Sequence, residues 1–343
     1  MPKYIIGSLL VILSLALAAC GTPEPPAAPQ TTGAVEPTVG VLESPLPTPP
    51  AGGEVPTLRM ALLPILDVLP IHVADRNGYF EQVGVQVELV PVKSAQERDA
   101  LMQAGQVDGM LTDLISPVLF NQDRPQIMVV RTACKAYPDS PLFRLLARPG
   151  SEVKSPADLA GVEIGISQNS IIEYLTDRML EHAGLTADQI AVQEVSAIPV
   201  RFELLLNGEI PAATLPDPLA SGAMAAGAVL VVDDTSIPEL SQSVLAFSVK
   251  TLEARPEAVR RFLQAWEMAV QELNARPEAY QDLLIEVGRV PESIQGTYQM
   301  PPFPTASVPT PEQLADVMRW ALDKGLVEKD MPYEQIVDSS YLP

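Results

Sequence analysis

Strand-like and helix-like segments alternate along most of this chain, and the alternation begins a second time after a proline-containing turn. Segments 57–63 and 85–91 have the apolar or alternating character of β-strands, and helical segments follow them. Around 149–156 the pattern restarts, with a new strand-like segment at 161–166. Strands that alternate with helices form mostly parallel sheets flanked by helices. The sequence therefore predicts an α/β fold.

The longest predicted helix covers 256–275 and begins with a proline, which is well tolerated in a first helical turn. It carries an apolar stripe of helical period: Val259, Phe262, Leu263, Trp266, Ala269, Val270 and Leu273. We interpret this stripe as core and not as part of a cofactor site. A second helix is predicted within 312–324, after a proline-rich loop.

The N-terminal segment 1–19 has the character of a secretory signal peptide. Lys3 provides a positive charge, an almost unbroken apolar run follows, and small residues precede Cys20. The run is short for a membrane span, which needs about 20 apolar residues. Residues 17–20 resemble the lipobox of bacterial lipoproteins, which implies lipidation of Cys20. The alternative is an ordinary signal peptide with an incidental cysteine.

Residues 20–56 are predicted to be a disordered tether. From residue 21 onward the segment contains ten prolines and four glutamates, with no lysine, arginine or aromatic residue. Such a composition buries too little apolar surface to offset the entropy lost on ordering. The expected location is therefore the extracytoplasmic face of the cell membrane, with a lipid anchor in the bilayer.

Charge and composition exclude several classes of function. The formal net charge is −21, which disfavours nucleic acid as a partner because phosphate binding needs clustered lysine and arginine. The two cysteines and two histidines show no zinc-site spacing, so no metal is expected. We expect no cofactor either. Outside Cys20 the only cysteine is Cys134, which we interpret as a buried small side chain.

The chain contains two short segments of similar pattern. Residues 105–114 and 208–217 each consist of a helix-ending glycine, a short apolar strand and an aspartate where the next helix begins. These aspartates, Asp113 and Asp217, would lie at the carboxyl ends of strands, the edge at which open α/β sheets bind ligands. Coincidence between two common strand–helix turns is the alternative interpretation.

Residues 70–84 fit the pattern P-x-x-x-A-x-x-x-G-Y-F-x-x-x-G. This pattern resembles solute-binding proteins of ABC importers, in the branch with the nitrate-, sulfonate-, taurine- and thiamine-pyrimidine-precursor-binding proteins. Residues 104–108 and 155–161 add to the resemblance, which extends from about 58 to 234. It implies a two-lobed type II periplasmic-binding-protein fold with two hinge crossovers. The expected lobes are 57–147 with 240–343, and 148–239.

The same resemblance implies a function and partners. The chain would be a monomer that captures a small-molecule ligand by hinge closure and delivers it to an ABC permease. It would not be an enzyme, and the sequence contains no G-x-S-x-G motif, Walker motif or convincing G-x-G-x-x-G motif. A ligand-sensing lipoprotein remains an alternative, as does, less favoured, an enzyme on the same fold.

Seven residues are the predicted ligand contacts. They are Asp67, Asp113, Ser167, Asn169, Ser170, Arg201 and Asp217. The three aspartates could accept hydrogen bonds from a ligand or could cap helices. The helix start at 167–170 could bind an anion, or its donors could be satisfied by a capping box of Ser170 and Glu173. Arg201 is the candidate anion clamp. Three aspartates favour a cationic or nitrogen-rich ligand over an oxyanion.

Overall fold

The computed structural model describes residues Val55–Pro343. The predicted signal peptide and Cys20 lie outside these residues, as does almost all of the predicted tether. Between Val55 and Pro343, no helix is both long enough and apolar enough to cross a bilayer.

The first lobe is built around a five-stranded sheet with the strand order β2-β1-β3-β10-β4. Strand β10 is antiparallel to both of its neighbours, and the β1–β2 and β1–β3 pairs are parallel. The elements of this lobe are β1 (Thr57–Leu62), α1 (Leu69–Arg76), α2 (Tyr79–Val83), β2 (Gln86–Pro91), α3 (Ala95–Gln103), β3 (Gly109–Thr112), α4 (Ile115–Phe120), β4 (Ile127–Lys135), β10 (Gln242–Ser248), α8 (Val249–Ala254), α9 (Pro256–Ala275), α10 (Gln281–Val287) and α11 (Pro311–Asp323).

The second lobe repeats this plan with the strand order β7-β6-β8-β5-β9. Here β5 is the antiparallel strand, and the β6–β7 and β6–β8 pairs are parallel. Its elements are β5 (Phe143–Ala147), β6 (Glu163–Ile166), α5 (Ile171–His182), β7 (Ala191–Glu194), α6 (Ile198–Leu206), β8 (Ala212–Pro216), α7 (Leu219–Ala225) and β9 (Val229–Asp233). The turns of similar pattern after β3 and β8 therefore occupy equivalent positions in the two lobes.

Two crossovers, 136–142 and 234–241, join the lobes. The first crossover lies before the predicted lobe boundary at 147/148. Residues 143–147 were expected in the first lobe, but β5 pairs with β8 and β9 of the second sheet. The two sheets thus exchange strands, because β5 comes directly after β4 of the first sheet and β10 directly after β9 of the second.

The core of the first lobe forms where α9 packs on the sheet. All seven residues of its predicted apolar stripe are buried. Phe262 stacks on Phe80 at 5.6 Å between ring centroids and meets Phe247 of β10 edge-on at 5.5 Å. Phe80 belongs to the segment 78–80, whose glycine has the left-handed φ of 69° that ends one helix and starts the next. This packing fixes α1 and α2, and with them the loop after β1.

Polar contacts, here called the seam, join Trp320 and Lys324 of α11 and its C-terminal end to Asp177 and Glu173 of α5 in the second lobe. The indole Nε1 of Trp320 donates to Asp177 at 2.8 Å, and the Lys324 ammonium donates to Glu173 at 2.6 Å. The second carboxylate oxygen of Glu173 accepts the backbone N–H of Asn169 at 2.7 Å. The seam therefore fixes the first turn of α5, which faces the other lobe.

Candidate functional site

A small cavity lies between the lobes, at the edge where the strands of both sheets end. The turns after β1 and β3 of the first lobe and the turns after β6 and β8 of the second lobe line this cavity. Its volume is about 40 Å³, enough for only a few water molecules. The lobes are therefore closed on each other in this structure.

The walls of the cavity are mostly apolar. The apolar residues come from both lobes: Leu63, Ile65, Ala95, Leu111, Phe143, Ile171, Ile172, Ile198 and Pro216. The polar lining residues are Asp67, Arg98, Thr112, Asp113, Ser167, Ser170 and Ser243. A few polar groups set in apolar walls are typical of a small-molecule site that fixes the orientation of its ligand.

The first-lobe wall contains three buried oxygens without a hydrogen-bond partner: Asp67 Oδ2, Thr112 Oγ1 and Ser243 Oγ. Burial raises the pKa of Asp67 to about 6, and the Ser243 hydroxyl lies close enough to oppose the rise, although Asp67 Oδ2 and Ser243 Oγ do not meet the geometry of a hydrogen bond. Buried polar groups are nearly always hydrogen-bonded in folded proteins, so an unpartnered set on one wall indicates a place for a ligand or water. Asp67 is thus a carboxylate available to a hydrogen-bond donor.

Asp113 is a helix cap and also spans the two lobes. Its Oδ1 accepts the backbone N–H groups of Ile115 and Ser116 at 2.9 and 3.0 Å, which caps α4. Its Oδ2 accepts the N–H of Ile171, the first residue of α5, at 3.3 Å. Burial raises the pKa of Asp113, and the Arg98 guanidinium opposes the rise. Asp113 therefore caps a helix, as one of the two interpretations expected, and it also lines the cavity.

Ser167 and Ser170 line the second-lobe wall. The Ser170 hydroxyl accepts the N–H of Ile172 at 3.2 Å and donates to the Ser167 carbonyl at 2.8 Å. Glu173 accepts the N–H of Asn169, not that of Ser170, so the expected capping box is displaced by one residue. The N–H groups of Asn169, Ile171 and Ile172 at the start of α5 thus have partners within the protein.

Three predicted contacts do not line the cavity. Asn169 is exposed, with a left-handed φ of 56°. Asp217 forms an ion pair with Arg144 and accepts from Ser221 at the start of α7.

Arg201 is completely buried behind Ser167. It donates to the Ser167 hydroxyl at 3.2 Å and to the Val195 and Thr214 carbonyls at 2.6 and 2.9 Å. Burial lowers its pKa to about 10. Arg201 thus supports the second-lobe wall from behind Ser167 and is not among the residues that line the cavity, and its Nη2 is a buried donor without a hydrogen-bond partner.

Three polar wall residues were missed: Arg98, Thr112 and Ser243. Arg98 lies on the buried face of α3 with Ala95 and Met102, so a charged residue on a helical apolar stripe was the available signal. Ser243 directly precedes the apolar residues 244–247 of β10. A polar residue next to a buried apolar strand was a weaker signal.

A wider groove adjoins the cavity on the outside. It shares Leu63 with the cavity and has a volume of about 720 Å³, within the roughly 300–1,000 Å³ usual for small-molecule sites. Both lobes line it, through residues such as Val68 and Val92 of the first and Pro199 of the second. The groove and the cavity are therefore neighbours that meet at Leu63.

Two sheets of one plan, two crossovers and a cavity between the lobes define a type II periplasmic-binding-protein fold, as the sequence predicted. Residues 66–280 match the family model described as NMT1/THI5 like. The chain belongs to this family. The predicted resemblance is confirmed, since this family and the proteins below lie in the branch that the motifs at 70–84 indicated.

Similar proteins come from several bacteria. The riboflavin-binding protein RibY of Chloroflexus aurantiacus is 24% identical over 309 residues, which cover 86% of this chain and 81% of that protein. A putative thiamine biosynthesis protein of Haemophilus influenzae is 29% identical over 149 residues, 43% of this chain and 45% of the relative. The structure of the alkanesulfonate-binding protein SsuA from Xanthomonas axonopodis pv. citri, bound to MOPS, has a TM-score of 0.71 at 17% identity, covering 84% of this chain and 99% of that one.

Proposed function

We propose that this chain is the lipid-anchored, extracytoplasmic solute-binding component of an ABC importer, and that it captures a nitrogen heterocycle between its lobes. The captured ligand is released to a permease in the membrane, and no chemical step takes place on the protein. The proposed contacts are Asp67, Asp113, Ser167 and Ser170, with Thr112 and Ser243 added.

The observation that carries this proposal is the composition of the cavity walls. Apolar side chains from both lobes suit the flat faces of a heterocycle, and the unpartnered oxygens of Asp67, Thr112 and Ser243 suit the N–H and carbonyl groups on its edge. The charged nitrogens in the wall belong to Arg98, which already contacts Asp99 and Ser116. A neutral, nitrogen-rich edge therefore fits this wall better than an oxyanion.

The relatives support this class of ligand. RibY is named for riboflavin, a flat heterocycle with N–H and carbonyl groups, and it aligns with most of this chain. The SsuA structure contains a sulfonate, and it shares the fold at lower identity. The outer groove would hold the part of a ligand that extends from the ring, because the groove and the cavity share Leu63 as a lining residue.

Closure would couple binding to delivery. An open form offers the first-lobe wall, with Asp67 and Ser243, to the ligand, and the second lobe then adds contacts that the open form lacks. Ligand affinity that differs between two conformations shifts their populations. Only a closed form would present both lobes together to the permease.

The first prediction concerns ligand binding by the full-length chain purified in detergent. Isothermal titration with riboflavin and an aminopyrimidine is expected to give a Kd of about 1 μM or tighter for one of them, roughly −8 kcal/mol. The radius of gyration from X-ray scattering is expected to fall on binding. Tight binding of methanesulfonate or nitrate alone, or turnover of the bound heterocycle, would contradict the proposal.

The second prediction concerns the anchor. Replacing Cys20 with serine (Cys20→Ser) is expected to move the protein from the membrane fraction to the soluble extracytoplasmic fraction, because lipid chains contribute about 0.8 kcal/mol per buried CH₂ group. Detergent phase partition of wild type and variant measures the change. Cys134→Ser is the matched control and should stay membrane-bound. An unchanged distribution of Cys20→Ser, together with a wild-type Cys20 that mass spectrometry shows to be unmodified, would mean that Cys20 carries no anchor.

A further inference from the structure

The first residue of α5 meets a carboxylate from the opposite lobe. The Ile171 N–H donates to Asp113 Oδ2 at 3.3 Å, inside the cavity wall. Free N–H groups and the helix dipole make a helix start attractive to anions. In this chain a carboxylate of the protein itself occupies that position.

The guanidinium of Arg98, the arginine in the cavity wall, is likewise surrounded by polar groups of the protein itself. Arg98 Nε donates to Asp99 Oδ1 at 2.8 Å, and Arg98 Nη2 donates to the Ser116 hydroxyl at 2.5 Å. That nitrogen also lies 3.7 Å from Asp113 Oδ2. A single oxygen of Asp113 thus stands between both positive features of the cavity, the α5 start and Arg98.

We propose that Asp113 is a specificity-determining residue, whose Oδ2 takes the place of a ligand oxyanion and so restricts the site to neutral or cationic heterocycles. This inference rests on the proposed function, because it assumes that the cavity is the ligand site. The unpartnered oxygens of Asp67, Thr112 and Ser243 line the same cavity and supply the second indication that a ligand binds there.

The effect on anions is electrostatic. A sulfonate placed between Arg98 and the start of α5 would overlap Asp113 Oδ2, and a sulfonate beside it would meet a carboxylate a few ångströms away. The repulsion between two like charges about 4 Å apart near a protein surface lowers affinity by more than a factor of about 100. Rejection by an unfavourable contact is an established source of specificity.

Asp113→Asn tests this assignment directly. Asn keeps an oxygen for the Ile115 and Ser116 N–H groups, and it replaces Oδ2 with an NH₂ group facing Arg98 and Ile171. Three sets of donors would then converge with no acceptor among them. The variant is expected to bind methanesulfonate at least about tenfold more tightly than wild type, measured by titration of the full-length chain at pH 8 and constant ionic strength.

Two further variants complete the test. Asp113→Ser also caps helices well and should show the same gain if Asp113→Asn folds poorly. Asp188→Asn removes one negative charge from an exposed site and should show none. A gain in the two Asp113 variants alone supports the assignment. No gain in either, an equal gain in Asp188→Asn, or methanesulfonate binding by wild type comparable to that of the variants overturns it.

The two proposals fail separately. If wild type binds no heterocycle but the Asp113 variants gain sulfonate binding, the ligand class proposed above is wrong while the role of Asp113 stands. If wild type binds a heterocycle and the variants gain no anion, only the assignment of Asp113 is lost. The wild-type titration with methanesulfonate requires no variant, so even poorly folded variants leave a result that can overturn the inference.

Discussion

Replacing Asp234 with alanine (Asp234→Ala) is expected to lower the free energy of unfolding by about 3–5 kcal/mol. Asp234 is fully buried at the start of the second crossover. Its carboxyl accepts the N–H of Leu142 at 3.1 Å and of Phe143 at 3.0 Å, and the hydroxyl of Ser241 at 2.5 Å. Alanine would leave these donors without partners. Urea unfolding followed by circular dichroism measures the loss.

The size of this loss should depend on pH. Burial raises the pKa of Asp234 to about 7, with the Ser241 hydroxyl and the Phe143 and Leu142 N–H groups opposing the rise. Since the folded-state pKa lies above the unfolded value, wild type loses stability as pH rises from about 4 to above 7. The alanine variant lacks this decline. The difference between the two proteins is therefore expected to be larger at pH 5.5 than at pH 8.

The neighbouring carboxylate provides the control. Asp233 accepts the N–H of Thr235 at 3.1 Å and caps a single turn, so Asp233→Ala should cost about 1 kcal/mol. Equal losses for both variants would mean that Asp234 is an ordinary cap. A much larger loss for Asp234→Ala would show that one carboxyl holds the two crossovers together, since Leu142 belongs to the first and Ser241 to the second.

The sequence was sufficient for the architecture because the relevant signals are local. Alternating strands and helices, glycine-terminated helices and the apolar stripe of α9 each depend on a few adjacent residues. The boundary between the lobes, in contrast, depends on contacts between residues that are distant in sequence. The apolar strand at 143–147 suits a buried position in either sheet, and only its pairing with β8 and β9 assigns it to the second.

In the candidate site, too, local patterns predicted the positions of residues but not their contacts with residues distant in sequence. Strand–helix turns placed Asp67, Asp113 and Asp217 at the sheet edges, but the three aspartates have different neighbours. Asp217 meets Arg144, which is distant in sequence, and is removed from the cavity wall. Asp67 lies close to Ser243 of β10, the strand that follows the second crossover. Which carboxylate stays available thus depends on long-range contacts that the residue pattern does not contain.

Asp67→Asn is expected to weaken heterocycle binding and, at the same time, to stabilise the ligand-free protein. The charged hydrogen bond that Asp67 would form with a ligand N–H contributes about 1.5–3 kcal/mol, so its loss should raise the Kd about 10- to 100-fold. Titration of the variant with the heterocycle that wild type binds most tightly measures this change.

The gain in stability follows from the cost of burying the charge. Burial raises the pKa of Asp67 from 3.8 to about 6, so ionisation is less favourable in the folded protein than in the unfolded chain. Wild type therefore loses up to about 3 kcal/mol as pH rises from about 4 to 7. Asn carries no charge, so ligand-free Asp67→Asn should unfold at higher urea than wild type at pH 8, and the difference should disappear below pH 4.

Asp75→Asn is the matched control, because Asp75 is an exposed aspartate on α1 close to the same loop. Its stability should stay within about 0.5 kcal/mol of wild type, with ligand affinity unchanged. Weaker binding together with higher stability in Asp67→Asn would identify a carboxylate that is retained for its ligand at a cost to the fold. Lower stability at pH 8 would mean that Asp67 is already paired within the protein, and unchanged affinity would mean that the ligand binds elsewhere in the cleft.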